Sequence, residues 1–201
     1  MRDAVERLWW RFVEGPLLRV GGEALYRLLG PGLGGRPPLY EEVVPGQLSR
    51  SAQPDASAYR WLRQQGVRSI VNLRLERDDL ALLRQLRFSH YLHAPIPEGL
   101  PPTDDEAEAL LEFIAEPAHW PVHVHCLTGI QRTGTVVALV RYAVHGWSMD
   151  RALREARAYR PGPTRAQIAW LRAWAATHPR GDHAPDRRDG PGHAGPCPPY
   201  S

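Results

Sequence analysis

The chain has 201 residues, of which 43% are hydrophobic, enough for one domain with extensions and a core that needs no disulfide or metal staple. Its formal net charge is only +3, every basic residue is arginine, and no arginine run stands out, which argues against a dedicated nucleic-acid binder with its basic stripe. Two cysteines, Cys126 and Cys197, make no secreted disulfide framework and suit a reducing, cytoplasmic compartment.

The opening MRDAVERLWWRFVEGPLLRV is apolar but interrupted by Arg7, Arg11, Glu14 and Arg19. A signal peptide needs about 7–15 unbroken apolar residues and a spanning helix about 20, so neither is expected. Val5, Leu8, Trp9, Phe12 and Val13 follow one helical face until Pro16 interrupts. That face reads as a helix docked on the main domain, with a membrane-surface or partner-binding helix as the other reading of Trp9 and Trp10. GPGLGGRPP at 30–38 closes this extension (1–38) as a flexible joint.

From Leu39 the pattern becomes α/β, and the unit 39–178 reads as one domain. LYEEVV and QLSRSA predict short strands, and Pro54-Asp55 starts a helix that stops at Gly66. VRSIVNL predicts a buried strand, ERDDLALLRQL a helix, and FSHYLHAPI another strand. TDDEAEALLEFIAE predicts a helix whose Thr103 and Glu106 form a capping box. PVHVHC is a strand, RTGTVVALVRYAVHG a helix ending at Gly146, and SMDRALREARAYR and TRAQIAWLRAWAATH are two more helices. Alternating strands and helices predict a central, mostly parallel sheet with helices on both faces. From Pro179 the tail (179–201) lacks apolar periodicity and is expected to be disordered.

The informative stretch is Val122 to Gly134. A cysteine ends a strand, five loop residues follow (Leu127, Thr128, Gly129, Ile130 and Gln131), and Arg132 opens a long apolar helix. A loop at a helix N-terminus can turn several N–H groups inward, and the helix dipole adds partial positive charge. Such a nest suits phosphate oxygens and equally a thiolate. A free cysteine with pKa near 8.5 is only about 3% ionised at pH 7. In such surroundings the pKa can fall to about 3.5–7.5. Arg132 adds permanent charge in a planar fork that can hold two phosphate oxygens.

His125-Cys126, five loop residues and Arg132-Thr133-Gly134 resemble the His-Cys-x5-Arg-Ser/Thr-Gly signature of the protein tyrosine and dual-specificity phosphatase superfamily. SRSAQPD, VNLR, PIPEGLPP and RPGPTRAQ follow in the order seen in its small atypical, bacterial-type members, so the resemblance spans about residues 40–175. It implies a metal-independent, cofactor-free phosphatase. Cys126 would be the nucleophile, Arg132 with the amides of Leu127 to Gln131 the phosphate clamp, Thr133 the thiolate-supporting hydroxyl and His125 a buried orienting residue. The family places an acidic proton donor about thirty residues before the cysteine, where this chain has Glu98 instead of the usual aspartate. Asp104 and Asp105 are the alternative acids; a helix first turn also explains them.

Other readings stay beside this one. Cys126 alone could be a small apolar core residue. His90, His93, His123, His125 and Cys126 could be imagined around zinc, but no C-x-x-C or H-x-x-x-H spacing supports that, and no metal is expected. Thr164-x-x-Gln167 faintly resembles a water-positioning glutamine loop, yet Pro163 stands where a first glutamine would, so Gln167 reads as ordinary helix. Arg50, Asn72 and Arg74 read as a fold-supporting polar network, with substrate contact as the other reading. The uncharged loop residues favour a singly phosphorylated substrate, a phosphotyrosine or phosphoserine/threonine protein. Inositol phosphates and other phosphorylated metabolites remain the alternative, as do a non-catalytic phosphate-binding module and a rhodanese-like sulfur carrier.

Overall fold

The computed structural model describes residues 35–185. Five strands, β1 (Glu41–Val44), β2 (Leu48–Ser51), β3 (Ser69–Arg74), β4 (His90–Ile96) and β5 (Val122–His125), form one sheet in the order β1-β2-β5-β3-β4. β2, β5, β3 and β4 run parallel, and β1 turns back antiparallel on β2. β5 is central and buried along its whole length. Its side chains alternate. Val122 and Val124 enter the main core, while on the opposite face His123 stacks on Tyr40 and His125 meets Tyr59 edge-on. Register sets Ser51, His125 and Asn72 in one row at the carboxyl end of the parallel strands, where open α/β sheets bind ligands.

Helices cover both faces, as the sequence pattern predicts. Helices α1 (Ala56–Gln64) and α2 (Leu80–Gln85) bury Tyr59, Leu62 and Leu83 against Val67 and Ile70. Helices α3 (Asp104–Ala115), α4 (Gln131–Ala143), α5 (Met149–Ala158) and α6 (Arg165–Thr177) enclose the larger core on the other face. Helix α4 is buried from Arg132 through Ala143, on every face. The charge in its last turn, Arg141, is matched by Glu155 of α5 at 2.7 Å and by the Val43 carbonyl at 2.8 Å. The Thr103–Glu106 capping box is present at α3, and a second, Thr164–Gln167, opens α6.

Two expectations need correction. Helix α2 is six residues long, shorter than ERDDLALLRQL suggests: Asp78 accepts from the Leu80 N–H at 2.9 Å and so marks the helix start, while the N-cap Asp79 spends its carboxylate on Gln53 and Tyr59. The first residues after Pro179 are seated on the domain. Gly181 and His183 donate backbone N–H groups to Tyr142 and Ala143 carbonyls at 3.0 Å, satisfying acceptors at the end of α4 that have no intrahelical partner. His183 also meets Glu108 at 2.7 Å. The end of the Gly/Pro joint docks as well, with Pro38 accepting from Ala52 N–H at 2.9 Å. The expected N-terminal helix with Trp9 and Trp10, and Cys197 in the tail, lie outside the described residues. No described helix is long and apolar enough to cross a membrane.

Candidate active site

Cys126 directly follows β5 at the mouth of the loop and is 2% exposed. Two carbonyls of that loop are turned outward and satisfied by β2 and the segment after it. Leu127 O accepts from Gln53 N–H at 3.0 Å, and Gly129 O accepts from Arg50 Nη2. In a trans peptide the next N–H points the opposite way. Thr128 and Ile130 N–H are therefore aimed away from β2, across the loop. Gly129 N–H itself donates to Cys126 Sγ at 3.3 Å. Gly129 has to be glycine on two counts. Its φ is +73°, and a Cβ there would stand 2.6 Å from Ser51 and Ala52 backbone.

The start of α4 completes the cradle. The first helical N–H with a backbone acceptor is Gly134, at 2.9 Å from Ile130 O, and Ile130 supplies no side-chain cap. The N–H groups of the first turn are thus left for an anion, where the dipole is positive. α1, α3, α5 and α6, by contrast, are capped by Asp55, Thr103, Ser148 and Thr164.

Arg132, 3% exposed, has its head fixed beneath the loop. Nη1 donates to Ile96 O at 3.1 Å and pairs with Glu76 Oε2 at 3.3 Å. Burial pushes the Cys126 thiol pKa up, but Arg132, the Thr133 hydroxyl and N–H and the Gly129 N–H together outweigh it and bring it below the ordinary value. Thr133 Oγ1 is buried and has no oxygen or nitrogen partner, which leaves its hydroxyl to the Cys126 sulfur.

His125 is fully buried behind the cysteine. Nε2 meets Tyr59 Oη at 2.9 Å, and Nδ1 lies 3.4 Å from the Cys126 carbonyl. Burial lowers its pKa to about 4, with Asp79 opposing, so the imidazole is neutral at pH 7. Tyr59 donates in turn to Asp79 Oδ2 at 2.8 Å, and Gln53 donates to the same oxygen at 2.9 Å. Burial raises the Asp79 carboxyl pKa, but these bonds and His125 bring it below the usual range. His123 holds Ser49 and Ser51 hydroxyls at 2.9 and 2.8 Å. Both ring nitrogens of His123 and the Nε2 of His125 therefore have protein partners, as structural histidines would.

Arg50 is 1% exposed, reaches Gly129 with Nη2 and lies with Cζ 4.0 Å from the Tyr159 ring centroid, while Nε and Nη1 are unpartnered. Asn72 donates to Arg77 O at 2.8 Å and Arg74 to Gln53 at 3.2 Å, the supporting polar network expected of them. Glu98 sits in a turn directly after β4, closed by Leu100 N–H donating to Pro97 O at 3.2 Å. Asp104 and Asp105 are exposed in the first turn of α3, where Asp104 accepts from Trp170 Nε1 at 3.0 Å.

Residues 41–172 match the family model described as a DSP-PTPase phosphatase fused to NAD+ kinase. The chain belongs to this family. Among its curated relatives, the dual specificity protein phosphatase TpbA of Pseudomonas aeruginosa is 34% identical over 115 residues, covering 54% of this chain and 49% of TpbA. The chain thus spans about half the length of that relative. The putative tyrosine-protein phosphatase OCA1 of Mycosarcoma maydis is 30% identical, covering 61% of this chain and 81% of OCA1. In solved structures the same sheet and helices recur in TpbA of P. aeruginosa (30% identity, 67% and 83% coverage, TM-score 0.58). They recur also in the core catalytic domain of the PP-IP phosphatase Siw14 from S. cerevisiae (22%, 68% and 85%, TM-score 0.61), a likeness of fold alone.

Within this phosphatase family fold, Gly129, Arg132 and Thr133 stand against the Cys126 sulfur. Glu76, Gln53, Tyr59 and Asp79 escaped sequence reading. A buried arginine demands a counter-charge, and Glu76, two residues beyond the Asn72-Leu73-Arg74 segment, was the available signal. Tyr59 reads in sequence as one apolar position of α1; nothing local ties it to His125, 66 residues away.

Proposed function

We infer that the domain at 39–178 hydrolyses phosphate monoesters through a phosphocysteine formed on Cys126. The observation that carries this reading is the thiol held below its ordinary pKa beside Arg132, with the Gly129 and Thr133 N–H groups directed at the sulfur. The thiolate attacks phosphorus as the leaving oxygen departs. Arg132 and the amides of Leu127 to Gln131 take the equatorial oxygens, where charge spreads in a loose transition state. Thr133 steadies the sulfur as leaving group in the second step, and His125 orients the loop from behind. Glu98 donates the proton to the leaving oxygen, and its carboxylate then takes one from the attacking water. Its turn begins one residue past Ile96, whose carbonyl holds Arg132. The trade of Asp104 with Trp170 and its first-turn charge support Glu98 over Asp104 or Asp105.

A singly phosphorylated substrate, a phosphotyrosine or phosphoserine/threonine protein, suits the site better than a polyphosphate. Leu127, Thr128, Ile130 and Gln131 carry no charge, Glu76 places a carboxylate against Arg132, and the nearby Leu75 and Leu100 are 56% and 50% exposed. A reducing cytoplasm would keep such a thiolate active, and no metal enters the reaction.

Release of phosphate from an aryl phosphate, with and without chelator, tests the reading. Turnover that survives chelator and disappears in Cys126→Ser supports it. Turnover in Cys126→Ser, or vanadate binding with no turnover in the wild type, refutes it. Phosphopeptides assayed against inositol phosphates decide the substrate class.

A further inference from the structure

The turn that carries Glu98 belongs to a proline-rich segment, Pro95-Ile96-Pro97-Glu98-Gly99-Leu100-Pro101-Pro102, that has left the sheet at Ile96. Its carbonyls need partners from outside the sheet. Those of Gly99 and Leu100 find them on α6. Thr164 Oγ1 donates to Gly99 O at 2.8 Å, and Gln167 Nε2 donates to Leu100 O at 3.0 Å. Trp170, one turn further along, holds Asp104 at 3.0 Å.

Gln167 is 0% exposed, and its other amide atom, Oε1, accepts from Thr164 N–H at 2.9 Å. With both ends engaged, its partner is the loop and not a water. The same entry to α6 also touches the helix of the nucleophile. Pro163 Cγ and Cδ lie 3.7 and 3.8 Å from where a Cβ on Gly134 would stand, one residue past Thr133. One short segment, 163–167, therefore spans from the start of α4 to the turn bearing Glu98.

We propose that Thr164 and Gln167 are positioning residues that hold the Glu98 turn in register with Cys126 and Arg132 before substrate arrives. This rests on Glu98 being the proton donor. In that step the Sγ–P bond forms, the bond from phosphorus to the leaving oxygen breaks, and the Glu98 carboxyl proton passes to that oxygen. Misplacing the donor harms this transfer while leaving the cradle intact, so the defect depends on how much the leaving group needs a proton.

The experiment compares the wild type, Gln167→Leu, Thr164→Val, Glu98→Gln and the pair Glu98→Gln/Gln167→Leu, all in the full chain. Two substrates are used: phenyl phosphate, whose leaving phenol has a pKa of about 10, and dinitrophenyl phosphate, whose leaving group departs without a proton. Loss of a positioned general acid costs about 100- to 10,000-fold, and a displaced one a part of that. Gln167→Leu is expected to lower kcat on phenyl phosphate about 10-fold or more, leave dinitrophenyl phosphate within about twofold, and add nothing to Glu98→Gln. Vanadate affinity stays as in the wild type. Should Gln167→Leu not fold, Thr164→Val removes the bond to Gly99, together with the cap on the Gln167 N–H, and answers the same comparison through the contrast between the two substrates.

Equal losses on both substrates, full additivity with Glu98→Gln, or no loss on phenyl phosphate would overturn the proposal. If Glu98→Gln lowers phenyl phosphate turnover while Gln167→Leu and Thr164→Val do not, only the positioning role fails. If Glu98→Gln itself changes nothing, the acid assignment fails and the positioning role with it.

Discussion

Arg50→Met separates what holds the loop from what holds the fold. Arg50 is buried to 1% exposure, yet its guanidinium makes one hydrogen bond, to Gly129 O, and stacks on Tyr159, with Nε and Nη1 unpartnered. A buried charge so sparsely satisfied adds little net stability, and an apolar residue of similar length often replaces one at no cost. The variant loses the stacking, about 0.5–2 kcal/mol, and a charged hydrogen bond, about 1.5–3 kcal/mol, but is relieved of the desolvated cation. Stability should stay within about 2 kcal/mol of wild type, a shift in Tm of at most about 8 °C.

Activity should respond differently. Without Arg50 the Gly129 carbonyl has no outward partner, so the peptide that aims Ile130 N–H across the loop is free to rotate. Losing about 1.5–3 kcal/mol of preorganisation corresponds to about 10- to 150-fold in kcat/KM. The assay is kcat/KM on phenyl phosphate, with thermal unfolding on the same preparation. Wild-type kcat/KM would refute the reasoning. So would an activity loss recovered by cooling in step with a lowered Tm, because that would make Arg50 a stability residue.

Three further outcomes follow from the same geometry. Alkylation of Cys126 by iodoacetamide should titrate below the ordinary thiol value of about 8.5, and in Arg132→Met the inflection should move upward, because burial is then less opposed. An unshifted inflection in the variant would remove Arg132 as the source. Gly129→Ala should lower kcat/KM at least about 100-fold, since its Cβ meets backbone at 2.6 Å in a conformation that side chains rarely adopt; turnover within tenfold of wild type would count against a loop seated tightly on β2. Tyr59→Phe should cost about 1–3 kcal/mol by leaving Asp79 and His125 short of a partner. Because the Asp79 pKa is depressed in the fold, its contribution is complete above the unfolded value of about 3.9 and is lost as pH falls through the folded value. Tyr59→Phe raises that folded value, so acid unfolding monitored by circular dichroism should begin at higher pH than in the wild type.

Much of this site could be read along the chain because its working parts are contiguous. Cys126, the five loop residues and Arg132 lie within one strand–loop–helix unit, and the Thr103–Glu106 capping box is likewise a local pattern. The supports were not legible, because their partners are far apart. Gly129 meets Arg50 across 79 residues, Gln167 reaches Leu100 across 67, and Arg132 pairs with Glu76 across 56. Gln167 looked like ordinary helix since nothing in TRAQIAW says where its amide points. Helix α2 begins later than ERDDLALLRQL suggests because helical periodicity cannot reveal that Asp79 is claimed by Gln53 and Tyr59.

Alternation of apolar runs with helical periods was sufficient for the parallel sheet and its two helical layers, because burial on one face or both is written into residue spacing. The nucleophile and its arginine were likewise determined locally, through a nest made by consecutive amides. Tertiary structure alone decided which carbonyls of that nest face outward, what neutralises the buried Arg132, and what grips the Glu98 turn. Those choices are made by groups brought together through strand order and helix docking. A lone stretch of chain has no means of encoding a partner that only the folded sheet delivers.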